Sequence, residues 1–173
     1  MNKSKKNELI KFIIFGILFT AILGTILHFV YEWSGKNPIV GLFSPVNESV
    51  WEHLKLLYYP TSIWIFIGYF KYGRKSGNYL FSALTGLISG LIAIPVLFYI
   101  YTSICGKDIL IIDIIIFIIS IILCFLIFGY FYQNYNFRLL SPKAAFVLWE
   151  LIFVLFVLFT ILPPDIFLFQ QYK

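Results

Sequence analysis

Residues 109–132 read ILIIDIIIFIISIILCFLIFGYFY, and Asp113 is the one charged side chain among them. A helix of that length rises about 36 Å, more than the ~30 Å hydrocarbon core of a bilayer. A run this apolar has no water-facing side. Four further runs share its character: Leu9–Tyr31, Trp51–Phe70, Tyr79–Ile104 and Ala144–Leu162. Each approaches or exceeds the ~20 residues needed for a crossing. The fold class expected is therefore an all-α integral membrane protein. The expected form is a five-transmembrane-helix bundle in a single polytopic domain over 1–173, with spans at about 9–31, 51–70, 79–104, 109–132 and 144–162.

Composition agrees. The 173 residues are 61% hydrophobic and 12% charged, against about 25% charged in a soluble domain. Mean hydropathy is +0.91. The net charge of +5 is a topology signal. No Lys/Arg-rich region stands outside the runs, so nucleic acid is not an expected partner and the lipid bilayer is. The N-terminal run continues to Tyr31, beyond the roughly 7–15 apolar residues of a signal peptide, and reads as a first helix. Cys105 falls near a helix end and Cys124 mid-span, too far apart to pair.

Lys3, Lys5, Lys6, Lys11, Lys71, Arg74, Lys75, Arg138 and Lys143 fall on one side of these runs, and Lys36, Lys107 and Lys173 on the other. Basic residues concentrate on the cytoplasmic side. The expected orientation has the N-terminus cytoplasmic and the C-terminus extracytoplasmic.

One stretch resists the apolar pattern. SPVNESVWEHLKLLYYP, residues 44–60, puts Glu48, Glu52, His53 and Lys55 beside a span. At helical spacing Glu48, Glu52, Lys55, Tyr59 and Ser62 share one stripe. His28 and Glu32 are i, i+4 partners near the same end of the first helix, and Asp113 approaches that end on the fourth. Acids in a membrane face the bundle interior or a wet cavity. The economical arrangement is one polar pocket facing outward, floored by the small faces of the first and third helices. Gly86 and Gly90 make a GxxxG pair on that third helix, read here as packing within the chain. The loop between the first two helices contains Ile39, Val40, Leu42 and Phe43. It is too apolar to float in water, and folds back as a lid or re-entrant turn. The tail PPDIFLFQQYK lies along the surface.

Two like charges a turn apart need relief from Lys55, a proton or a cation. Carboxylates with imidazoles suit Zn²⁺, Fe²⁺ or Mn²⁺. The expected metal ligands are His28, Glu52, His53 and Asp113, with Glu48 as general base and Glu32, Lys55 and Tyr59 lining the pocket. The function expected is metal-dependent hydrolysis or transfer on a lipid-like substrate. Its alternatives are a non-enzymatic carrier of a cation or small molecule, and an accessory subunit whose acids pair with a partner. Interfacial Glu, His and Lys also serve simply to anchor helix ends.

The segment HFVYEWSGKNPIVGLFSPVNESVWEHLKLLYYP, with the late PPDIFLF, resembles a family of small uncharacterised bacterial integral membrane proteins, NESVWEH being its most specific part. The resemblance implies a multi-pass protein of the bacterial plasma membrane and assigns no chemistry.

Overall fold

A computed structural model describes residues 3–74, 76–134 and 139–171. The calls on Lys75, Arg138 and Lys173 lie outside these residues. The chain is all-helical, with 81% of it in helix and no strand among the described residues. Five long helices follow in order: α1 (Lys3–Trp33), α3 (Val50–Gly68), α4 (Tyr79–Cys105), α5 (Leu110–Gln133) and α6 (Pro142–Ile161). A single turn, α2 (Pro38–Gly41), precedes α3, and a turn of π-helix (Tyr69–Gly73) follows it.

Contacts at the two ends establish an up-and-down arrangement. At one end Lys71 Nζ meets Glu8 Oε2 at 3.0 Å, and Tyr132 OH donates to Tyr72 O. At the other, Ser44 Oγ donates to Leu27 O and Tyr101 OH to Asp113 Oδ1. The described basic residues of α1's first turns, Lys71 and Arg74 belong to the first end. Lys36 and Lys107 belong to the second.

Four helices, α1, α4, α5 and α6, are long and apolar enough to cross a membrane. The expected crossing at 51–70 corresponds to α3, which differs for a physical reason. Its 19 residues span about 28 Å, but Glu52, His53, Lys55 and Pro60 make it less apolar. It faces the surroundings far less than the others: 13 of those 19 residues are buried, against five of 31 in α1, and Ile63 and Ile67 are its exposed side chains. The other helices cover most of it.

Glycine makes that packing tight. Pro60 has no N–H for the Leu56 carbonyl one turn back. A Cβ on Gly24 would stand 2.5 Å from that same oxygen, so at this turn α1 comes so close to α3 only because the residue has no side chain. Gly86 does the same for α4 and α5, where a Cβ would come within 2.4 Å of Cys124 O. The GxxxG pair is thus spent on packing within the chain. Inside the bundle, Trp149 Nε1 donates to Ser62 Oγ, which donates to Tyr58 O, and Tyr58 OH donates to Trp149 O. This closed loop fastens α6 to α3.

Cys105 is exposed and Cys124 buried, and both are free thiols. The tail turns back rather than lying free. Phe169 packs on Trp51 with ring centroids 4.8 Å apart, and Gln171 forms a bridge to Ser49.

Candidate functional site

The start of α3 sorts the charges of residues 48–55 to opposite sides. Ser49 is the N-cap: its Oγ accepts from Glu52 N at 3.4 Å. Asn47 Oδ1 accepts from Ser49 N at 2.9 Å, closing a tight turn just before it. The helix therefore begins after Glu48, and the stripe expected to join Glu48 to Glu52 does not form. Glu48 projects from the turn while Glu52 enters the helix. The signal was present as S-x-x-E at Ser49–Glu52, the spacing of a capping box.

Glu52 belongs to a closed interior group. Lys55 Nζ donates to Glu52 Oε2 at 2.6 Å and to Gly41 O at 2.8 Å. Val46 N also donates to Glu52 Oε2, at 2.9 Å, and Thr160 on α6 reaches Glu52 Oε1 at 3.4 Å. Tyr59 OH donates to Leu42 O. Side-chain exposure is 0% for Lys55 and 3% for Glu52. The loop of residues 34–49 is thus a lid over this pair. Its backbone does the covering: Ile39 and Phe43 are exposed, and Val40 and Leu42 are half-buried.

On the opposite side three residues converge. His53 Nε2 lies 3.2 Å from His28 Nε2 and 3.3 Å from Glu48 Oε2. His28 Nε2 lies 3.7 Å from the same oxygen. Three atoms so spaced share a centre about 2.0 Å from each, close to the Zn–N and Zn–O lengths of roughly 2.0–2.2 Å. His53 Nδ1 stands 2.8 Å from Ser49 O. Donation of its proton there leaves the neutral ring's Nε2 lone pair facing the cluster, the outer support characteristic of a ligating histidine. Glu48 is more open than its neighbours, with 67% of its side chain exposed. When the His53 ring carries a second proton, its Nε2–H donates to Glu48 and holds that carboxyl below the usual carboxylate range.

The cluster forms part of the wall of a cleft of about 410 Å³ among α1, α3, α4 and α5, within the ~300–1,000 Å³ range of small-molecule sites. Asp113 and Asp108 also line it, as do apolar Leu56, Ile94, Phe98 and Phe117. Tyr101, which the sequence did not single out, holds Asp113 and also accepts from Ile109 N. Asp113 is thus in the cleft without being one of the three converging groups. Glu32 pairs with Lys36 at 3.5 Å and lines no part of the cleft.

No curated protein and no solved structure matches this chain. A family model described as a family of unknown function (DUF6512) matches residues 1–172. The chain belongs to that family.

Proposed function

We propose that the protein is a membrane-embedded, metal-dependent hydrolase or transferase acting on a lipid-like substrate. His28, Glu48 and His53 are its metal ligands. The observation that carries the reading is the triangle of two imidazole nitrogens and one carboxylate oxygen, whose common centre lies at zinc-bonding distance. A His₂Glu set with an open position is an established catalytic type. Zinc held there supplies Lewis acidity and brings a water towards ionisation near neutral pH.

The chain's own residues supply the rest. Ser49 O orients His53. Asp113, fixed by Tyr101, faces the same cleft and can accept a proton from a nucleophile. The apolar walls hold the chain of the substrate. This proposal moves the metal-ligand role from Glu52 to Glu48 and the base role from Glu48 to Asp113. Helix α3 is the fifth crossing, the N-terminus is cytoplasmic, and the cleft opens on the outer face of a bacterial plasma membrane. The excess of lysine and arginine at the first end over the second supports that orientation.

The test is turnover. Purified protein in lipid nanodiscs, stripped by chelator and reloaded with Zn²⁺, should hydrolyse a long-chain ester or amide only when reloaded. His53→Ala and Asp113→Asn should each lower the rate at least about 100-fold. Equal turnover before and after stripping would overturn the metal role. No turnover across a panel of such substrates would favour a carrier.

A further inference from the structure

The charges around the cleft select its ligand. Three carboxylates line it, Glu48, Asp108 and Asp113, and among the described residues no lysine or arginine does. Glu48 faces the two histidines. Asp113 stands on α5 and Asp108 just before it. A ligand therefore meets acids beside the cluster as well as within it. With no metal bound, an anionic headgroup meets three carboxylates and no lysine or arginine among the described lining residues. A protonated amine finds complementary charge.

The remaining walls specify what carries that amine. Leu56, Ile94, Phe98, Ile116 and Phe117 are apolar. At the rim, Phe29, Leu110 and Ile114 are 47%, 73% and 53% exposed on helices apolar enough to cross a membrane. Such a rim faces acyl chains. A ligand enters sideways from the bilayer, with its chain in the cleft and its polar end at the acids.

We infer that the ligand is a single-chain amphiphile bearing a protonated amine, drawn by the acidic lining of the cleft and anchored by Asp108. This deepens the proposed function and rests on it for the role of the cleft, while the recognition itself needs no metal.

The experiment uses three photoactivatable probes that share one long alkyl chain with a diazirine and end in a primary amine, an alcohol or a carboxylic acid. Full-length protein in nanodiscs of zwitterionic lipid is stripped of metal and labelled at neutral pH. The expected result is labelling of peptides containing Ile94, Phe98 or Phe117, with the amine preferred about fivefold over the alcohol and more over the acid. Asp108→Asn should reduce that preference while alcohol labelling stays unchanged, which also reports an intact cleft. Equal or greater labelling by the acid, or labelling confined to lipid-facing positions outside the cleft, would overturn the inference. An amine preference in stripped protein that lacks hydrolytic activity on reloading would uphold it while the hydrolase reading fell.

Discussion

Glu52 with Lys55, and Glu48 with His53, arise within eight residues of chain and meet opposite fates. The first pair is sealed. Its ammonium and carboxylate touch at 2.6 Å, and backbone groups of residues 41 and 46 use further hydrogen-bonding capacity. The second group is open and incomplete. Two imidazole nitrogens stand 3.2 Å apart beside a carboxylate, an arrangement that needs a proton or a metal between its lone pairs. Satisfied charges in an interior make a lock; unsatisfied ones at the edge of a cleft make a site. Ser49 decides which residue goes where, by starting the helix between the two glutamates.

Breaking the lock should have the largest effect on stability. Lys55→Met strands a buried carboxylate and should cost about 3–5 kcal/mol, whereas Glu52→Leu combined with Lys55→Met should recover most of it. Thermal and denaturant unfolding in detergent checks both. A single variant as stable as the native protein would mean that the pair is not sealed. Filling the site comes next. Zinc at about 100 times its dissociation constant should add about 2.7 kcal/mol to the native protein and nothing to His53→Ala. Equal stabilisation of the two would place the metal elsewhere.

Ser49→Ala, which removes the cap that separates the two groups, should cost about 1 kcal/mol, measured the same way. An unchanged melting curve would deny the cap its role. The smallest effect concerns pH. The folded carboxyl of Glu48 sits below its ordinary value, so its contribution is present above the ordinary carboxylate range and is lost as pH falls through the folded value. Because Glu48 is largely exposed, the metal-free protein should lose less than about 1 kcal/mol by this route. Glu48→Gln should flatten that part of the stability profile. A variant profile that superimposes on the native one would show that Glu48 is uncoupled from its neighbours.

The helical class was legible because a helix long and apolar enough to cross a membrane stands out in sequence even where its side chains are exposed, and α5 shows this most plainly. Only seven of its 24 residues are buried. Helix α3 inverts the rule. It is mostly covered by its neighbours, so it tolerates charge, and hydropathy understates it. Candidate residues His28, Glu48, His53 and Asp113 were legible as chemistry-bearing types near one end of the bundle. Their partition was not, because a one-turn stripe assumed a helix running through Glu48. The S-x-x-E spacing carried the missing information. Tyr101 left no such trace: a tyrosine near a helix end looks like any interfacial aromatic until Asp113 is placed beside it.

The most direct test of the central claim is zinc stoichiometry measured by plasma mass spectrometry on detergent-purified protein equilibrated with Zn²⁺ and desalted. Native protein should retain about one ion per chain, at ligand distances of about 2.0–2.2 Å by X-ray absorption. His28→Ala and His53→Ala should retain none, and Glu52→Gln, if folded, should keep its ion. Native protein without zinc, or an ion lost with Glu52 and kept without His53, would contradict the assignment of His28, Glu48 and His53 as the site.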